Sequence, residues 1–145
     1  MREQITITTT VIRHHPQFCR LVTIPNEQVA EWKLKTTTVV EGTINGMKLG
    51  RRSLKRWDDR QCWWIDLPDT LCKKVGVETG DAVSLAIRRA SEELPVELQQ
   101  LLNSNATASA TWQRMTKAQQ RMLREEIFSA QSSATRLRRA EKVLC

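Results

Sequence analysis

An internal repeat dominates the first ninety residues of the chain. Segment 19–29 (CRLVTIPNEQV) aligns without a gap to segment 62–72 (CWWIDLPDTLC), and the offset of 43 residues places Pro25 against Pro68. The same offset continues and places Ile44 against Ile87. Only five positions are identical between residues 19–44 and 62–87, so the evidence lies in the shared register of the apolar residues and the proline. A repeat of this kind predicts that one structural unit occurs twice.

Each copy of the repeat predicts the same local structure. A strand runs into a proline, which cannot donate a ladder hydrogen bond and therefore suits the end of a strand. Asn26 in the first copy and Asp69 in the second follow as candidate helix N-caps, and a short helical turn comes next. A strand pair joined by Asn45 and Gly46 is also predicted, because this dipeptide favours the two-residue turn of a β-hairpin.

Six strands are predicted, at about 5–12, 18–24, 38–44, 47–55, 61–67 and 82–89. We expect these strands to close on themselves, since closure removes exposed strand edges. The predicted fold is mainly β with an α tail. Residues 1–90 form a closed six-stranded double-split β-barrel from an internal duplication, and residues 91–145 form a three-to-four-helix C-terminal region.

The helical tail carries local signals of its own. Thr116 and Gln119 have the spacing of a capping box, in which a hydroxyl and an amide satisfy each other's backbone donors. The following helix is predicted to bury Met122, Leu123 and Ile127 on one face. We expect this tail to pack on the barrel or on a protein partner.

Composition restricts the class of protein. The chain has 145 residues, of which 40% are apolar, as in folded globular domains. No apolar run approaches the roughly 18 residues that cross a bilayer, so no membrane span is predicted, and the threonine-rich start favours a cytoplasmic location. The four cysteines lack metal-binding spacing, which predicts no metal site and no cofactor. Cys19, Cys62 and Cys72 are predicted to be small buried residues.

The second copy resembles the swapped-hairpin unit of the AbrB and MazE type. Residues 64–83 contain a proline after a strand, a short helix, and Gly76-x-x-x-Gly80-Asp81 before the next strand. In those families two chains close one double-split barrel, so the resemblance implies that one chain supplies both halves here.

Residues 36–145 are more closely similar to the YdeI/OmpD-associated, bacteriocin-protection-like family. The matching stretches are VEGTING at 40–46, GVETGD at 76–81, PVEL at 95–98 and TRLRR at 135–139. This resemblance implies an ill-defined role in envelope stress or in tolerance of antimicrobial peptides. The sequence departs from the family at 58–61 (DDRQ), where relatives commonly carry glycines, and at 130–133 (AQSS), where a lysine is expected.

Two basic clusters are the candidate binding residues. Basic groups neutralise phosphates, and interleaved tryptophans such as Trp57 stack on bases. The first cluster consists of Lys48, Arg51, Arg52, Lys55, Arg56 and Arg60, and the second consists of Arg136, Arg138 and Arg139. The alternatives are an edge strand guarded by positive charge and a basic helix terminus with surface salt bridges. One of Trp63 and Trp64 is expected in the core, because neighbours on a strand face opposite ways.

Three functions remain open from the sequence. The first is a non-enzymatic cytoplasmic binding protein like the YdeI/OmpD-associated proteins, and the second is an AbrB-like DNA-binding regulator that uses the basic hairpin. The third is an uncharacterised enzyme, although no catalytic residue is assigned, because His14 and His15 lie in a turn with no partner at motif spacing. The net charge of +7 and the pI of about 9.7 suit an anionic ligand or nucleic acid, or serve solubility alone.

Overall fold

The computed structural model describes residues 3–145, and the chain divides between Ser91 and Glu92 into two compact units. We call residues up to Ser91 the barrel unit and residues Glu92–Cys145 the helical unit. None of the helices in the described part of the chain is both long and apolar enough to cross a membrane.

The barrel unit is one antiparallel sheet. Its strands are β1 (Gln4–Thr10), β2 (Arg20–Pro25), β3 (Thr38–Ile44), β4 (Met47–Lys48), β5 (Arg52–Trp57), β6 (Cys62–Leu67) and β7 (Ala82–Arg89). They are arranged in the order β1-β7-β3-β5-β6-β2, and the short β4 pairs with β3 outside this path. The six main strands form a nearly closed barrel, so the prediction of a mainly β barrel followed by helices is confirmed.

The barrel is nearly closed where a fully closed one was predicted. β1 and β2 meet through an isolated bridge between Ile12 and Leu21, with two backbone hydrogen bonds of 2.9 Å. The Thr9 hydroxyl adds a 2.9 Å hydrogen bond to the carbonyl oxygen of Thr23. The ladder stops there because residues 13–19 leave the sheet to form a loop.

The hairpin after β3 has the predicted turn, but the predicted strand 47–55 is divided. Asn45 and Gly46 both have positive φ angles, of 51° and 78°, as this type of two-residue turn requires. Gly50 also has a left-handed φ of 78°, which interrupts the strand between β4 and β5. Leu49 is buried, and its N–H donates to the carbonyl oxygen of Gly42 at 2.9 Å.

The two repeat prolines occupy similar places. Pro25 ends β2 before two 3₁₀ turns (Asn26–Gln28 and Ala30–Trp32), and Pro68 precedes helix α1 (Asp69–Val75). The prediction that Asn26 and Asp69 cap these helices is wrong, because the prolines occupy the N-cap positions and no side-chain cap forms. The Asp69 carboxylate pairs instead with Arg20 at 3.0 Å.

Strand register follows the offset of the sequence repeat. β2 pairs with β6 so that Val22 lies opposite Ile65, and β3 pairs with β7 so that Thr43 lies opposite Ala86. Each of these pairs joins residues that are 43 positions apart. The barrel interior between the strands is filled by apolar side chains, among them Val22, Ile24, Val40, Ile44, Leu54, Trp63, Ile65, Leu67, Leu85 and Ile87.

The helical unit contains α2 (Val96–Ser104), α3 (Ala106–Arg114), α4 (Lys117–Ser129) and α5 (Ser133–Leu144). The described residues thus contain five α-helices: four in the helical unit, for which three to four were predicted, and α1 in the barrel unit. The capping box of Thr116 and Gln119 is confirmed. Leu123 and Ile127 are buried as predicted, whereas Met122 is 69% exposed, since it is turned away from their face of α4.

Candidate ligand-binding cleft

The candidate site lies on the face of strands β2, β6 and β5 that is turned away from the barrel core. Side chains alternate along β6, so that Trp63 and Ile65 lie in the barrel core while Trp64 and Asp66 lie on the opposite face and are partly exposed. Trp64 is opposite Thr23 on one neighbouring strand and opposite Lys55 on the other. The expectation that one of the two tryptophans is core is therefore confirmed, with Trp63 inside.

The loop between β1 and β2 borders this face and is held by its own hydrogen bonds. The Arg13 guanidinium donates to the carbonyl oxygens of Phe18 and Pro16, at 3.0 and 2.6 Å. The Gln17 N–H donates to Nδ1 of His15 at 3.1 Å. These bonds give residues 13–18 a defined shape even though they are exposed, and they set the positions of His14 and Phe18.

Aromatic rings from the loop and the sheet meet around a cavity of about 640 Å³. His14 contacts Trp57 edge-on with ring centroids 5.3 Å apart, and Trp57 contacts Trp64 at 6.2 Å. Phe18, near the end of the loop, is 61% exposed. We call this site the aromatic cleft and define it by His14, Phe18, Arg56, Trp57, Trp64 and Asp66.

Cations flank the tryptophans of the aromatic cleft. The Lys55 ammonium lies 4.5 Å from the Trp64 ring centroid and 3.1 Å from the Asp66 carboxylate. The Arg60 guanidinium lies 4.5 Å from the Trp57 ring centroid. Such positions over an aromatic face are attractive for a cation. The cleft therefore combines stacking surfaces with positive charge.

The first predicted basic cluster is divided by the fold. Lys55, Arg56 and Arg60 are brought to the aromatic cleft, where Arg56 also pairs with Asp58 at 2.6 Å. The other three, Lys48, Arg51 and Arg52, belong to the turn region from β4 to β5. The Arg51 guanidinium donates to the Ser91 carbonyl at 2.9 Å, and that of Arg52 donates to the Leu49 carbonyl at 3.2 Å. Burial lowers the pKa of Arg52, and the Asp66 carboxylate acts in the opposite direction.

The second predicted cluster lies on α5 in the helical unit and contacts the end of α4. The Arg136 guanidinium donates to the carbonyl oxygens of Ala130 and Phe128, at 2.8 and 3.4 Å. Arg139 donates to the Glu126 carbonyl at 2.7 Å and to the Ser129 hydroxyl at 2.8 Å. Arg138 is exposed. Two of the three arginines thus satisfy carbonyl groups at and just beyond the helix terminus, and anion binding by this cluster stays a prediction.

Arg136 also faces a buried carboxylate. Its Nη1 lies 3.7 Å from Oε1 of Glu97, a residue that is only 5% exposed. Glu97 is in the first turn of α2, where the helix dipole favours a negative charge. Its Oε1 has no hydrogen-bond partner in the structure, so Arg136 is the counter-charge for this group.

A second cavity of the barrel unit, of about 650 Å³, lies beside α1. Two of its carboxylates have partners: that of Asp69 pairs with Arg20 at 3.0 Å, and that of Asp81 accepts from the Glu78 backbone N–H at 2.8 Å. Cys72 lines it, but its thiol is buried and donates to the Leu67 carbonyl at 3.4 Å. Burial raises the pKa of Cys72, which makes it a weak nucleophile.

The cysteines follow the prediction in part. Cys62 and Cys72 are buried, and burial raises the pKa of Cys62 as well. Cys19 is exposed, so the prediction for it is wrong: it ends the loop that leaves the sheet, one residue before β2 begins. Within residues 3–145, no cluster of His, Cys, Asp and Glu is placed to hold a metal ion.

Sequence reasoning missed three members of the aromatic cleft: His14 as a ring contact, Phe18 and Asp66. Signals for two of them were present. The repeat offset of 43 carries His14 onto Trp57, and these two residues touch. Alternation along β6 places Asp66 on the same face as Trp64. The position of Phe18 depends on the loop hydrogen bonds and had no counterpart in the sequence pattern.

Two family models match the chain. Residues 8–87, more than half of the chain, match a family described as a domain of unknown function, DUF1905. Residues 92–144 match the family described as bacteriocin-protection, YdeI or OmpD-associated. No curated protein and no solved structure matches, and the likeness to AbrB-type barrels stays a resemblance. The chain therefore belongs to the DUF1905 family through its barrel unit, and its helical unit matches the bacteriocin-protection, YdeI or OmpD-associated family.

Proposed function

We propose that this chain is a non-enzymatic cytoplasmic binding protein and that the aromatic cleft is its binding site. The family description links its members to bacteriocin protection and to OmpD. That description supports a role in tolerance of envelope stress or of antimicrobial peptides. The binding event itself is proposed from the cleft.

The observation that carries the proposal is the pair of partly exposed tryptophans beside an open cavity. Trp57 and Trp64 lie 6.2 Å apart, with His14 edge-on to Trp57, around a volume of about 640 Å³. Volumes of this size hold small ligands or one end of a larger one. Large aromatic side chains left open to solvent in a concave site are typical of binding surfaces.

We also infer that the barrel unit contains two copies of one half-barrel, in the double-split arrangement. The inference is supported by strand register. Val22 lies opposite Ile65 and Thr43 opposite Ala86, and the Thr9–Val83 pair corresponds to the Arg52–Val40 pair under the same offset of 43 residues.

In this arrangement, an approximate two-fold axis passes between β2 and β6. His14 and Trp57 are then counterparts, as are Leu21 and Trp64, so the aromatic cleft lies across the axis. A crystal structure in which residues 4–44 superpose on residues 47–87 by a near half-turn would support the duplication. Non-equivalent positions for Pro25 and Pro68 in that superposition would overturn it.

Binding in the cleft is tested with a planar aromatic anion, 8-anilinonaphthalene-1-sulfonate, and intrinsic tryptophan fluorescence. We expect saturable binding that Trp64→Ala weakens and Trp64→Phe largely retains, because a smaller ring still offers a face. Met122→Ala is the matched control, since Met122 is an exposed apolar side chain outside the cleft. Circular dichroism verifies that each variant is folded. Equal binding by Trp64→Ala and the parent chain would refute the proposal.

A DNA-binding regulator of the AbrB type is the second candidate. The observation in its favour is the excess of basic over acidic side chains in residues 1–91, 15 against 10, together with the exposed Lys48 on the hairpin. A mixed-sequence duplex should then bind at about 50 mM salt and dissociate steeply as salt rises. Substituting Lys48 and Arg51 by Ala should reduce that salt dependence, and negligible duplex binding at low salt would exclude this candidate.

A further inference from the structure

We propose that the ligand of the aromatic cleft is single-stranded nucleic acid, an inference that rests on the proposed binding function of this cleft. Unpaired bases would stack on Trp57 and Trp64, and the flanking phosphates would meet the cations around them. Three features of the site support this ligand: its rings, its charges and its shape.

The rings offer stacking surfaces of the kind that unpaired bases use. Trp57 and Trp64 are both partly exposed, and their planes are inclined at 61° to one another. Phe18 stands at the open side of the cleft with 61% of its surface exposed. Base stacking on such side chains tolerates any base sequence, because every base has an aromatic face.

The charges next to the rings suit a phosphate backbone. Lys55 lies over Trp64 and Arg60 over Trp57, each 4.5 Å from the ring centroid, and Arg56 lines the cavity. One face of each ring is covered by its cation, and a base stacked on the opposite face would bring its phosphate close to these groups, so stacking and neutralisation would act together. Two of the three cations already have carboxylate partners, Lys55 with Asp66 at 3.1 Å and Arg56 with Asp58 at 2.6 Å, so a phosphate would share them with these groups.

The shape favours unpaired bases over a duplex. The tryptophan rings line a cavity beside the loop that carries His14 and Phe18. A base that stacks on these rings must present its flat face to them. Bases in a duplex already stack on each other and expose only their edges in the grooves. A single strand can splay a base into such a cavity, as single-strand binding sites generally require.

The test uses the full chain and a labelled oligo(dT) of roughly a dozen nucleotides, a length that spans one typical single-strand site. Fluorescence anisotropy at about 50 mM salt should show binding that Trp64→Ala weakens about tenfold and Trp64→Phe restores in large part. The double variant Arg56→Gln/Arg60→Gln should reduce the slope of log K against log salt by about 1.4, which is two single-strand phosphate contacts. Arg114→Gln and Lys117→Gln, at exposed positions of the helical unit outside both basic clusters, are matched controls and should change nothing.

Two further ligands decide between stacking and charge alone. An abasic oligonucleotide of the same length should bind at least about fivefold more weakly than oligo(dT), because it offers phosphates without bases. A duplex of the same length should also bind more weakly. Equal or tighter binding of either ligand would overturn the inference.

Failure of this inference is distinguishable from failure of the proposed function. If oligo(dT) does not bind while 8-anilinonaphthalene-1-sulfonate still binds in a Trp64-dependent way, the cleft is a binding site and its ligand is not nucleic acid. If neither ligand binds to the folded chain, both proposals are wrong.

Discussion

Arginine side chains have different surroundings in the two units. In the helical unit, Arg136 and Arg139 donate to carbonyl oxygens at the end of α4 over distances of 2.7–3.4 Å. In the barrel unit, Arg56 lines the aromatic cleft, and Arg60 lies 4.5 Å from the centroid of the cleft residue Trp57. Guanidinium groups bound to the main chain hold a fold together, whereas those beside aromatic rings in an open cleft are placed to meet a ligand.

The stretch of the helical unit that resembles the family is therefore not the part of the molecule that is best placed to bind a ligand. The TRLRR stretch at 135–139 carries much of the family resemblance, yet Arg136 and Arg139 have contacts that a structural role explains. The aromatic cleft lies in the DUF1905 domain. We therefore expect variants of the helical unit to change stability, and variants of the cleft to change binding.

The largest expected effect is at Gly42, where the β3 and β7 backbones approach closely. A Cβ atom on Gly42 would lie 1.8 Å from the carbonyl oxygen of Ala86, and the residue has a φ of 153°. Gly42→Ala should destabilise the chain by at least about 3 kcal/mol in chemical denaturation, because backbone atoms cannot move aside. Gly50→Ala is the control: its added Cβ meets nothing within 4 Å, and only the left-handed φ costs about 1 kcal/mol. Similar free energies of unfolding for the two variants in chemical denaturation would contradict the expected close contact.

Removal of the Arg136 side chain has the next largest effect. Arg136→Ala should cost about 2 kcal/mol, because it deletes hydrogen bonds to the end of α4 and leaves the buried Glu97 carboxylate without its cation. Arg138 is exposed and lies two residues further along α5. Arg138→Ala should change the free energy of unfolding by less than about 0.5 kcal/mol. The double variant Glu97→Gln/Arg136→Ala should recover part of the stability lost in Arg136→Ala, because it no longer buries an unpaired Glu97 carboxylate. Urea denaturation followed by circular dichroism measures all three.

The Arg136→Ala variant also tests whether the arginines of the helical unit take part in binding. If Arg136 is structural, Arg136→Ala should leave oligo(dT) binding unchanged at temperatures where it is folded. Weaker binding by the folded variant would return Arg136 to the candidate anion-binding residues and bring the helical unit into the site.

The loss of a helix cap should have a smaller effect. Thr116→Ala removes the hydroxyl that accepts from the Gln119 N–H at 3.1 Å at the start of α4, and should cost about 1 kcal/mol. Asp69→Ala at the start of α1 is the matched change in the barrel unit. It should cost less than about 0.5 kcal/mol, because Asp69 forms no cap and only an exposed ion pair with Arg20. Equal losses in urea denaturation would mean that Asp69 caps α1 in solution.

These contrasts indicate which features could be predicted from the sequence. The capping box, the Asn45-Gly46 hairpin and the approximate positions of the strands were predictable, because each depends on residues close together in the chain. Alternation showed that only one of Trp63 and Trp64 is buried. These are local patterns, and the fold keeps them.

The parts that could not be predicted depend on contacts between distant segments. Asp66 pairs with Lys55 only because β5 lies beside β6, and Arg51 reaches Ser91 from 40 positions away. Cys19 looks apolar in the repeat but follows a loop that leaves the sheet. The division of the basic cluster into cleft residues and turn residues is set by these contacts, so a count of charges along the chain could not reveal it.

The smallest expected effect tests the loop that borders the aromatic cleft. Arg13→Ala removes the two hydrogen bonds that hold Phe18 and Pro16, and global stability should change by less than about 0.5 kcal/mol, since the loop is exposed. Amide exchange of residues 14–19 should become faster, and oligo(dT) affinity should fall about threefold, because ligand binding must then order the loop. Arg88→Ala, which breaks an exposed pair with Glu41 at 3.3 Å, is the control and should change neither. If exchange accelerates while affinity stays constant, the loop is only a border of the cleft and bases bind to the tryptophans of the sheet alone.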